Sequence, residues 1–144
     1  MSTFTRPLHL EFIDGKFWKL LAPFIYYVGK KHSDEFLLVR AGFTTDFASI
    51  PRFAWSIIGH PAGKHGKAAV VHDWLYRYPD DGLTIPVAPT PACVQLPTRT
   101  RRRCDQIFLE AMKVLGIGWW KRSTMYCAVR VGGRGAWKKW RKAE

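Results

Sequence analysis

Residues 67–78, KAAVVHDWLYRY, decide how this chain folds. Seven of the nine residues in AAVVHDWLY are apolar or aromatic, so little of a helix formed here can face water. Pro79 ends it, because proline lacks the backbone donor and clashes with the preceding turn. His72 and Asp73 are thereby carried into the interior, where each needs a hydrogen-bond partner or a bound group. At roughly 100° per residue, Tyr76 shares a face with His72, and Asp73 sits about 100° round from it.

A second helix supplies one such partner. TRTRRRCDQIFLEAMKVLG, residues 98–116, has Phe108, Leu109 and Met112 on the same side as Asp105, with Cys104 and Leu115 flanking that stripe. Asp105 therefore points into an apolar face. Arg101 is one turn back and within pairing reach, and so is a histidine on a neighbouring helix. His72, Asp73 and Asp105 are the expected polar centre. A buried network that only fixes helix packing is the alternative to a reactive one.

Outward towards the N-terminus the pattern changes to strands. LHLEFIDGKFWKLL is two apolar, aromatic-rich runs around Asp14-Gly15, a strong hairpin signal. PFIYYVG and EFLLVRAGF are two further strands, separated by the polar turn KKHSDE. TTDFASIP follows, placing Asp46 between a strand and a helix, where loop residues often carry function. Pro51 opens a short helix, PRFAWSIIG, with Ser49 as its cap. The loop GHPAGKHG has three glycines, which let a backbone approach a ligand closely, and its His60 and His65 read as solvated.

Outward towards the C-terminus, residues 79–98 are rich in Pro and Thr and read as an irregular surface loop. WWKRSTMYCAVRV is helical, GGRG interrupts it, and AWKKWRKAE is a basic tail with two tryptophans. The expectation is a single α+β domain over residues 1–135, with the tail at 136–144. A small antiparallel sheet of three or four strands precedes three or four helices.

Bulk composition narrows the function. The chain has 144 residues, 47% hydrophobic, enough for one domain with a real core. No run approaches the roughly 18 apolar residues of a membrane span. MSTFTRPLHLEF lacks the pattern of a signal peptide, so the expected location is a host cytoplasm or a virion. Cys93, Cys104 and Cys127 have no metal-type spacing and are odd in number. Cys104 and Cys127 fall in helix patterns and read as small packing residues. The net charge is +12, and residues 99–144 hold thirteen Lys and Arg against three acids. That field draws polyanions: nucleic acid, anionic lipid or an acidic protein. Trp137 and Trp140, interleaved with Lys138, Lys139, Arg141 and Lys142, suit stacking on bases and contact with phosphates.

TDFASIPR, AAVVHDWLY, Arg101 with CDQIFLEAM, and MYCAVRVGG together resemble the phage and prophage family called domain of unknown function 1353. The blocks occur in the family's order between about Phe43 and Gly133. The resemblance implies a phage or prophage gene with no established activity, and makes Asp46, Arg101 and Tyr76 possible members of the centre. It also implies that the irregular loop at 79–98 is an insertion.

HDWLY is also similar to the H-D-x-x-Y signature of phospholipases of the A2 class. These have a glycine-rich loop before the His-Asp helix and a later Asp on a partner helix. That resemblance implies His72 as the base activating water, Asp105 orienting it, and Tyr76 bonding within the network. It implies Ca²⁺ at Asp73, with Asp46 a further candidate ligand. The Y-x-G-x-G calcium loop and the bracketing cysteines of that class are absent here. The functional expectation is a hydrolase of an ester in the cell envelope. The alternative is a non-catalytic virion or assembly protein whose basic end, from Arg101 to the tail, binds a partner, a membrane or nucleic acid.

Overall fold

The structure is a computed structural model and describes residues 3–15, 17–47, 53–54, 56, 59, 63–82 and 98–142. Its strands are β1 (Thr3–Phe4), β2 (Leu10–Asp14), β3 (Phe17–Leu20), β4 (Phe24–Tyr27), β5 (Phe36–Val39) and β6 (Thr44–Thr45). Its helices are α1 (Gly66–Arg77), α2 (Arg101–Val114), α3 (Trp119–Gly132) and α4 (Arg134–Lys142). The fold is α+β, as the patterning indicates.

The strands form two antiparallel sheets of three, ordered β1-β4-β5 and β2-β3-β6. The hairpin at Asp14-Gly15 forms with Leu10 opposite Leu20 and Phe12 opposite Trp18. Gly15 sits at φ +51°, a conformation glycine adopts without steric cost. β1 and β6 have two residues each, too short for any alternation to be read.

The core lies where the sheets meet α1. Ten of the twelve α1 residues are buried, which is why its sequence has no polar face. Phe43 packs edge-on against Trp74 of α1, and Tyr26 of β4 donates to Glu110 of α2 across 3.0 Å. Thr100 caps α2 by accepting from the Arg103 amide, satisfying one of the donors a helix start leaves over. Arg99 and Arg103 grip Glu35 at 3.0 and 2.7 Å, tying the β4–β5 turn to the start of α2.

Three details depart from expectation. His65 is buried, because it stands at the start of a helix that is itself interior. Cys127 is exposed, whereas Cys104 packs in the core. The basic tail is a helix, and it docks on α1: Arg141 donates to the Tyr76 carbonyl at 2.8 Å, and Trp137 meets the Tyr76 ring edge-on. Ser49, Pro51, His60, Cys93 and most of the 79–98 loop lie outside the described residues.

Candidate functional site

α1 and α2 pack side by side, and this brings His72 and Asp105 together although 33 residues separate them. The imidazole Nε2 lies 2.7 Å from Asp105 Oδ1. An ionised carboxylate only accepts, so Nε2–H is the donor and the tautomer is fixed. The Tyr76 hydroxyl donates to the same oxygen, also at 2.7 Å. The other oxygen, Oδ2, accepts from Arg130 of α3 at 2.7 Å and has Arg101 at 3.7 Å.

The charges follow from this geometry. Burial pushes the Asp105 carboxyl up, but hydrogen bonds from His72, Tyr76 and Arg130 outweigh it and hold the group below its ordinary 3.8. Asp105 is thus an anion at neutral pH. Burial and the adjoining Asp105 push the Tyr76 hydroxyl well above 10.0, so it stays a donor. Burial pushes the Cys104 thiol up to about 12, which makes it a packing group rather than a nucleophile.

Asp73 points elsewhere. The hydroxyl of Thr45, on β6, donates to its Oδ2, and Arg77 lies 3.7 Å away. Thr45 Oγ1 in turn accepts from the Phe47 amide at 3.1 Å. Phe47 is buried and sits at φ +54°, a strained conformation for a bulky residue. Asp46, half-buried, lies between these two and pushes the Asp73 carboxyl upward by charge repulsion, adding to the larger effect of burial. The centre is therefore two-sided: Asp105 on one flank of α1, and Asp73 with Thr45 and Asp46 on the other.

Both halves are interior: His72, Tyr76 and Asp105 have no exposed surface, and Asp73 has 3%. Among the described residues, no group of three or more His, Cys, Asp or Glu could hold a metal ion. Calcium takes six to eight oxygens. Asp73, Asp46 and Thr45 are the oxygen donors that the described residues gather on this flank, and they would supply part of such a set.

Asp73 offers a direct test of burial. A carboxyl whose folded value is raised stabilises the fold below its unfolded value, and that contribution is lost as pH rises through the folded value. Asn in its place keeps an acceptor for Thr45 without the buried charge. In denaturant titrations the Asp73→Asn variant should gain stability relative to wild type as pH rises above 3.8. A gap that does not move with pH would refute this.

Arg101 faces inward, donating to the carbonyls of Val129 and Arg130. Trp137 and Trp140 are partly buried, with the guanidinium groups of Arg141 and Arg77 over their rings at 4.6 and 4.3 Å. Lys138 and Lys139 are exposed. Two members were missed: Thr45 and Arg130. Arg130 left a signal, a lone arginine inside the apolar run CAVRV. Thr45 left none, because its strand is two residues long.

The family model described as "Protein of unknown function (DUF1353)" matches residues 18–129. An uncharacterized protein of Sinorhizobium fredii (strain NBRC 101917 / NGR234), y4jT, is 32% identical over 96 residues. That stretch is 66% of this chain and 23% of the relative, so the chain spans less than a quarter of the relative's length. No solved structure matches the chain.

Proposed function

The chain belongs to the DUF1353 family, and we propose that it is a hydrolase whose water-activating base is His72. One observation carries this reading. Asp105 Oδ1 accepts from both His72 Nε2 and Tyr76 Oη at 2.7 Å. An anion that keeps the proton on Nε2 orients the ring, and this reading assigns the proton transfer to Nδ1. The arrangement is the one that similarity to the A2 phospholipases implies for His72, Asp105 and Tyr76. The strained Phe47 beside Asp73 is a second support, since such strain clusters at functional sites.

In this reading Nδ1 takes a proton from water as the water oxygen bonds to an ester carbonyl carbon. The carbon–alkoxide bond then breaks, and the alkoxide leaves with the proton from Nδ1. The products are an acid and an alcohol. Asp105 stabilises the transient imidazolium, and Arg130 and Arg101 hold Asp105 in place. The imidazole has no exposed surface, so the step requires local opening of the structure over it. The proposed substrate is an ester of the cell envelope, met from a host cytoplasm or a virion in a phage or prophage setting.

Complete burial of His72, Tyr76 and Asp105 favours a second reading. In it the network only pins α1, α2 and α3 together, and the protein is a non-catalytic assembly component acting through its basic surface. Fatty-acid release from anionic phospholipid vesicles, with and without Ca²⁺, separates the two. On the first reading His72→Gln lowers the rate by about 10²–10⁴-fold while the fold is kept. Equal rates for wild type and His72→Gln would leave only the second.

A further inference from the structure

Three of the large exposed aromatic side chains border one face; Phe17, Phe53 and Tyr78 are exposed as well and are not counted in it. Trp119 and Trp120, at 58% and 78% exposure, stand at the start of α3 with their rings 4.7 Å apart. Phe12, at 53%, stands on the β2–β3 hairpin against Trp18, 5.0 Å away. Soluble domains seldom display such groups unless something covers them.

Two adjoining cavities reach the neighbours of these residues, Trp18 at one end and Gly118 at the other. One, of about 330 Å³, is bounded by Leu10 and Trp18 of the hairpin and by Lys64, Lys67 and Leu115. The other, of about 300 Å³, is bounded by Lys64, Gly118 and Lys121, next to the tryptophan pair. Gly63 and Lys64 belong to both. The Lys64 ammonium lies 3.5 Å from the position a Gly116 side chain would take, so it spans the junction. Phe12 edges this face because strand alternation puts it on the side of Leu10 and Trp18. Glu11 alternates to the opposite side, across from Lys19.

Among the described residues, no carboxylate lines either cavity. The charge is positive for a tertiary reason. Among the described residues 98–142, Arg102, Lys113, Lys121, Arg134, Lys138, Lys139 and Lys142 are exposed, and no carboxylate is. Asp105 is consumed by His72, Tyr76 and Arg130, and Glu110 by the Tyr26 hydroxyl and the Gly29 amide.

We propose that this face, from Phe12 across Lys64 and Lys67 to Lys121, Trp119 and Trp120, docks on an anionic lipid surface. Tryptophan is favoured at the boundary of headgroups and chains, and lysines beside it pair with lipid phosphates. A protein partner of acidic character would match the lysines but would leave an adjacent pair of tryptophans less well placed than a bilayer does. Docking does not require chemistry at His72, so it stands or falls separately from the hydrolase reading.

The experiment is flotation of the full chain with vesicles of phosphatidylglycerol and phosphatidylcholine in equal parts, against phosphatidylcholine alone. Wild type and His72→Gln should both float with the anionic vesicles and not with the neutral ones. Replacing Trp119 and Trp120 by serine together should weaken partitioning at least about tenfold. Lys64→Glu with Lys121→Glu should weaken it by more than about fivefold per lysine. Lys138→Glu with Lys139→Glu, away from this face, should have a smaller effect. Equal loss from the Lys138/Lys139 pair would show diffuse charge and overturn the assignment. So would unchanged flotation of the tryptophan variant, or binding to duplex DNA without binding to vesicles. Circular dichroism checks that each variant is folded, which these exposed positions should allow.

Discussion

Replacing Asp105 by alanine is expected to cost about 3–5 kcal/mol, a large share of the roughly 5–15 kcal/mol that holds a domain folded. The side chain has no exposed surface and is the shared acceptor for His72, Tyr76 and Arg130. Its removal leaves an arginine and two buried donors without the anion they were arranged around, and each unmet donor costs more than its bond contributed. Asn at 105 should be milder, because its carbonyl oxygen can still accept from Tyr76 while the attraction to Arg130 is lost. The pH dependence gives a second check. A carboxyl held below its ordinary 3.8 stabilises the fold above that value, and loses its contribution as pH falls through the lower folded value. The gap between wild type and Asp105→Ala should therefore be full at pH 7 and shrink in strong acid. Urea titration of the two proteins measures it, and a gap under about 1 kcal/mol at neutral pH would show that Asp105 does not organise the buried network.

Gly133→Ala is expected to cost roughly 2–4 kcal/mol, from overpacking and a displaced hydrogen bond. Gly133 has φ −74°, which any residue adopts, so backbone freedom is not the issue. Space is: an added Cβ would lie 2.6 Å from the Tyr76 hydroxyl and 2.4 Å from the Val129 carbonyl oxygen. The ring must move, and it cannot move without releasing Asp105. A double-mutant cycle with Tyr76→Phe tests the mechanism. Phe lacks the oxygen that is struck, so the pair should cost less than the two single changes added. Strict additivity would mean that the clash with Tyr76 is not what the alanine introduces.

Both variants act on one network, yet their residues differ in how visible they are before folding. Asp105 is legible because a carboxylate on the same stripe as Phe108 and Met112 breaks a local pattern. His72 and Tyr76 are legible for the same reason, being polar groups at helical spacing in an apolar run. Gly133 reads only as an interruption between helices, since nothing local says that a tyrosine from α1 reaches it. Arg130 reads as an anomaly without a destination. Trp137 and Trp140 read as a polyanion-binding patch, and packing adds contacts the tail's own sequence does not show: Trp137 meets Tyr76 of α1, and Arg141 and Arg77 lie over the two rings.

The apolar run at 67–78 by itself determined that α1 would be interior and that His72 and Asp73 would go in with it. Periodicity is a property of neighbouring residues, and burial of a helix with no polar face follows from it directly. Only the tertiary structure decided that the two residues serve opposite flanks, His72 meeting Asp105 and Asp73 meeting Thr45. It also decided that Arg130 would hold the shared carboxylate, and that the basic half would keep no exposed acid among its described residues. Those outcomes depend on which surfaces dock, and docking joins residues 25 to 33 positions apart that no local period relates.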